Sequence, residues 1–141
     1  MIDTKIILIM SLIMLAGGCS TMPQYKFKPD EKHTTIKSLG FGWISICVDQ
    51  AFFMPPKSGQ PEEYLIPTNK RITVKKHVTF TGYNSTRSCS ASISFVPSQD
   101  KTYIANANIG SEGCLIDLVQ VDETKEVGVS FEPSIKPGEC H

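Results

Sequence analysis

The chain has no net charge: 14 basic and 14 acidic residues cancel over 141 positions. That balance removes the long-range field on which a generic nucleic-acid binder depends. Histidine is scarce. His33, His77 and His141 stand isolated from one another, and Cys140-His141 has no second pair at ligand spacing, so no metal site is expected. The chain also lacks a Gly-x-Ser-x-Gly elbow, a His-Glu-x-x-His pair and a phosphate-cradling glycine loop. The acidic neighbours Glu62-Glu63 and Asp122-Glu123 point to opposite sides in extended chain, so neither forms a catalytic pair alone. Enzymatic activity and cofactors are therefore not expected. Long apolar runs are missing too. The one apolar stretch, Ile6 to Ala16, falls short of the roughly 20 residues that a membrane-crossing helix needs.

That stretch has a telling context. Lys5 precedes it, and Leu15-Ala16-Gly17-Gly18-Cys19-Ser20 follows its apolar core. The run resembles the signal peptide and lipobox of bacterial lipoproteins, with Ala16 where the family usually carries leucine. The resemblance implies cleavage before Cys19, lipid on Cys19, and attachment to a membrane through that lipid. In that family Asp after the cysteine tends to retain the product in the inner membrane. Ser20 therefore implies the outer membrane, and the domain is expected, separately from that signal, to face the periplasm. Ala16 and Gly18 also satisfy the small-x-small rule of ordinary signal peptidase, which would instead release a soluble periplasmic protein.

Cysteine parity bears on the choice. The five cysteines are Cys19, Cys47, Cys89, Cys114 and Cys140. Lipid on Cys19 leaves four, an even number suited to two disulfides in an oxidising compartment. The expected organisation is a signal peptide over residues 1–18, a lipidated tether over 19–33 and a β domain over 34–141. The tether is polar and contains proline, and at full extension it spans about 46 Å.

From residue 41 onward the pattern is β. Ile72, Val74, Val78 and Phe80 alternate with Arg71, Thr73, Lys75, His77 and Thr79, while Cys89, Ala91, Ile93 and Phe95 alternate with serines. Alternation of this kind marks a strand with one wet face. Further strands are expected over residues 41–49, 103–109, 114–121 and 127–132, separated by turn-forming segments. Short, regularly spaced strands without helical periodicity predict an all-β fold: a small antiparallel sandwich or, alternatively, a barrel. Of three possible pairings, Cys89–Cys114 with Cys47–Cys140 is favoured, because it closes a local loop and pins the C-terminal tail. It requires Cys89 and Cys114 to lie on different sheets, since strands flanking a third in one sheet are about 9.6 Å apart.

Residues 51–67 break the pattern, with Phe52, Phe53 and Met54 followed by four prolines in a long connection. Long connections are often binding loops, so Phe52, Phe53 and Met54 are candidate contacts for an envelope protein. The competing expectation is that the two phenylalanines plug one end of the sandwich. Ser58-Gly59 followed by Tyr64 is similar to the Ser-Gly-x-x-Tyr insertion loop of periplasmic lysozyme inhibitors, here lengthened by two residues and containing Pro61. That resemblance makes Ser58 and Tyr64 further candidates. The leading expectation is a lipid-anchored, non-enzymatic envelope protein that binds or scaffolds another component. A hydrolase inhibitor and an accessory lipoprotein of a secretion apparatus are the alternatives.

Overall fold

Two five-stranded sheets face each other across one apolar core in the computed structural model, which describes residues 21–140. Residues 1–20, which include the expected signal peptide and Cys19, and His141 lie outside the described residues. The strands are β1 (His33–Leu39), β2 (Trp43–Val48), β3 (Ala51–Phe53), β4 (Glu63–Pro67), β5 (Ile72–Thr81), β6 (Thr86–Phe95), β7 (Tyr103–Gly110), β8 (Gly113–Val121), β9 (Val129–Phe131) and β10 (Lys136–Pro137). The first sheet has the order β4-β1-β7-β8-β9 and the second β10-β6-β5-β2-β3. Every neighbouring pair is antiparallel except β1 and β7. The sheets remain separate, so the fold is a sandwich and the barrel alternative does not form.

Alternation decides what enters the core. Ile44, Ile46 and Val48 of β2, Ile72 and Val74 of β5, and Phe95 of β6 meet Ile36, Ile66, Tyr103, Ala105 and Leu118 of the first sheet. Cys89 of β6 and Cys114 of β8 lie on opposite sheets and join, with Cα atoms 5.9 Å apart. Cys47 turns to the outer face of the second sheet and takes Cys140 from the C-terminal tail, Cα to Cα 5.6 Å. These are the two pairings favoured from the sequence.

One inward position breaks the apolar rule. Lys76 is 0% exposed, and its ammonium donates to Ser38 Oγ at 3.0 Å and to the Leu39 carbonyl. Burial pushes this amine below its ordinary value, with only partial recovery from the charge of Glu62.

The stretch expected to be a tether is docked from Pro23 onward. Met54 N–H donates to the Pro23 carbonyl, and Tyr25 N–H donates to the Met54 carbonyl, both at 2.9 Å. The Tyr25 ring is buried with its edges against Phe27 and Phe53. Its hydroxyl donates to Glu31 at 2.8 Å and accepts from Lys70 at 3.0 Å, while Lys70 and Glu31 form an ion pair at 2.5 Å. Burial raises the Tyr25 phenol above its ordinary value. Burial also works against the Glu31 carboxylate, but hydrogen bonds from Lys70 and Tyr25 outweigh it and hold the group low. A polar composition concealed two aromatic anchors.

The connection over residues 51–67 is likewise more ordered than expected. It contains β3 and β4, and Leu65 N–H donates to the Pro56 carbonyl at 2.7 Å across its base.

Candidate functional site

The outer face of the second sheet carries a cluster that depends on two glycines. Gly40 and Gly42 adopt φ of 75° and 96°, a region open to glycine at little cost. A Cβ on Gly42 would lie 2.0 Å from the His77 carbonyl oxygen, so the backbone of this turn rests directly on β5. The turn holds Phe41 81% exposed and leads into Trp43, 42% exposed. Exposed aromatics on a fixed backbone lose little conformational entropy when they bind.

Trp43 pairs with His77 across the strands, and their rings stack at 3.9 Å and 10°. His77 Nε2 lies 3.1 Å from Ser45 Oγ. Burial and the nearby Lys75 charge push the imidazole below its ordinary value, which keeps it neutral at pH 7. Ser45 is completely buried, so its hydroxyl positions the imidazole and is closed to an incoming substrate. One rung further along, the Lys75 ammonium sits over the Phe52 ring at 5.6 Å.

The C-terminal tail divides this face. Thr73 Oγ1 donates to the Glu139 carbonyl at 2.8 Å, Ser92 Oγ donates to the Gly138 carbonyl at 2.5 Å, and Cys140 is bonded to Cys47. The tail thus covers the end near Thr73 and leaves the other end open. There a shallow groove of about 260 Å³ is lined by Trp43, His77, Thr79, Ser88 and Ser90. Aromatic surface beside hydroxyls and a neutral imidazole suits non-covalent recognition. Among the described residues, no group of three or more His, Cys, Asp or Glu side chains could hold a metal ion.

The residues singled out from the sequence do not converge. Phe53 turns inward against Tyr25 and the core, whereas Phe52 lies on the outer face opposite Cys47. Met54 is half-buried and held through its backbone to Pro23 and Tyr25. Tyr64 packs against the core from β4, while Ser58 caps its own loop, its hydroxyl donating to Glu63 at 3.3 Å. Phe53 alone takes the plugging role envisaged for both phenylalanines. The strand expected over residues 41–49 forms from Trp43 to Val48, and Phe41 stands in the turn before it. The signal that marks Phe41 and Trp43 is the Gly40-Phe41-Gly42-Trp43 sequence, in which glycines bracket a large aromatic.

Comparison with protein-family models, with curated proteins and with solved structures finds no match to this chain.

Proposed function

We propose that this protein is a lipid-anchored component of a bacterial envelope, and that its β-sandwich binds a protein partner without catalysing a reaction. The observation that carries the binding role is the glycine-braced turn, which leaves Phe41 exposed two residues before Trp43, itself half-exposed and lining an open groove. Aromatic side chains of this kind dominate the energetics of protein interfaces. The anchor reading is supported by cysteine accounting. Four of the five cysteines are joined in two disulfides, which leaves Cys19 for the lipid. An oxidising compartment is consistent with both bridges, and the burial of Ser45 favours binding over chemistry at the Ser45–His77 pair.

The test places a photoreactive amino acid at Phe41 in the full-length protein in its native envelope. A discrete crosslinked protein is expected from position 41, and Trp43→Ser should reduce its yield more than tenfold. Absence of any product from position 41, with folded protein present, would refute the aromatic interface. Metabolic labelling with a fatty-acid analogue tests the anchor separately: label retained by Cys19→Ala would overturn it.

A further inference from the structure

A second surface lies on another side of the sandwich and owes nothing to the aromatic face. β9 pairs with β8 only along Val119, Gln120 and Val121. β10 pairs with β6 only at Ile93 and Ser94. Between these two short strands the chain crosses from one sheet to the other, and in doing so it vacates the lanes beside both β8 and β6. Among the described residues, no strand pairs with residues 113–118 of β8 on the side away from β7.

The hydrogen-bond alternation identifies the unsatisfied groups. Val121 N–H donates to the Thr102 carbonyl on the β7 side, whereas Asp122 N–H donates to the Gly128 carbonyl on the β9 side. Successive residues of a strand alternate in this respect. The backbone N–H and C=O groups of Cys114 and Ile116 therefore point into the empty lane. Beneath it lies a groove of about 480 Å³, lined by Ala91, Ile93, Leu115, Ile116, Ile135 and Pro137. The Cys89–Cys114 disulfide fixes the separation of the two strands at one end of the groove, and Leu115 stands 68% exposed at its rim.

The geometry points to strand addition: this lane is an acceptor for an extended segment of a partner protein, about six residues long, with apolar side chains at alternate positions. The occupant follows from the chemistry of the surface. A row of outward backbone donors and acceptors is matched by another β-strand, and an apolar floor is matched by every second side chain of that strand. Six residues at strand rise cover about 20 Å, the length of the open edge. An unprotected edge of this kind is a hazard unless something occupies it.

The test reads backbone amides of the full-length protein in detergent micelles by NMR hydrogen exchange. In the free protein, Cys114 and Ile116 should exchange rapidly while Leu115 and Asp117, bonded to β7, are protected. The probe is acetyl-Thr-Val-Thr-Val-Thr-Val-Thr-amide at millimolar concentration. It should slow exchange at Cys114 and Ile116 at least tenfold, and the same peptide N-methylated at alternate amides should not. Unchanged exchange at both amides would overturn the proposal. So would protection in the free protein that grows with protein concentration, which would assign the lane to a second copy. Neither result bears on crosslinking from Phe41, so the two readings fail independently.

Discussion

Replacing Tyr25 with alanine removes the one side chain that binds the N-terminal segment to both the core and the Glu31–Lys70 pair. Truncating a buried aromatic costs roughly 3–5 kcal/mol. The ring is only 7% exposed, and its hydroxyl joins two charged groups, so a loss of about 4 kcal/mol is expected. At about 1.4 kcal/mol per tenfold change, the undocked population should rise roughly a thousandfold. Tyr25→Phe keeps the ring and loses the hydroxyl, which predicts a tenfold to hundredfold rise from about 1.5–3 kcal/mol. Native-state trypsin cleavage after Lys26 and Lys32 measures that population when opening is fast relative to cleavage, and Trp43 fluorescence reports separately that the sandwich stays folded. Cleavage rates within threefold of the parent in Tyr25→Ala would refute the claim that Tyr25 is the clamp.

Acid should release the same clamp. The Glu31 carboxylate is held below its ordinary value, so its contribution is full above an unfolded value of about 4.3 and fades as pH falls through the lower folded value. Trypsin is inactive there, so amide exchange at Tyr25 from pH 5 to pH 2 is the measurement, and Glu31→Gln should remove most of the dependence. Lys76 shifts stability in the same direction but in an alkaline window, because its buried amine is penalised when charged. Its amine is held low when folded, so the unfolded state binds more protons and stability rises with pH between the folded value and about 10.4. Denaturant titrations should show the parent gaining on Lys76→Met across that window, and a constant difference would refute the assignment. Opening Cys47–Cys140, whose separation is 93 residues, should cost about 4.7 kcal/mol, and opening Cys89–Cys114, separation 25, about 3.5 kcal/mol; chemical denaturation of the paired alanine variants checks the order. Gly42→Ala should cost at least about 1–3 kcal/mol from backbone conformation alone, and an unchanged melting temperature would show that the turn is not pinned against β5.

Strands with one apolar face were legible because β6 alternates cleanly and β5 does so on either side of Lys76, and alternation in β6 and β8 placed Cys89 and Cys114 toward the core. β1 was not legible. Its inward residues are Thr34, Ile36 and Ser38, and hydroxyls that bury themselves by hydrogen bonding look like solvent-facing residues in a sequence. Lys76 was concealed for the same reason, since a lysine in an alternating strand reads as wet unless its partners are known. β3 and β4 lay within a proline-rich stretch whose composition signals loop, although three of its four prolines fall between the strands and the fourth, Pro67, ends β4. The aromatic groove depends on cross-strand register, which sets Trp43 against His77 from positions distant in the chain. Register of that kind is a property of the assembled sheet.

The placement of the cysteines also governs the order in which a reduced chain oxidises. Loop closure scales with length to the power of about three halves, so the 25-residue separation of Cys89 and Cys114 should close roughly sevenfold faster than the 93-residue separation of Cys47 and Cys140. Cys47 is separated from Cys89 by an intermediate distance in sequence and competes with it only until β2, β5 and β6 have paired. Once they have, Cys89 faces the interior while Cys47 faces outward, with the sheet between them. A thiol cannot attack through a hydrogen-bonded backbone layer. Strand register thus blocks the Cys47–Cys89 cross-pair once the second sheet has formed.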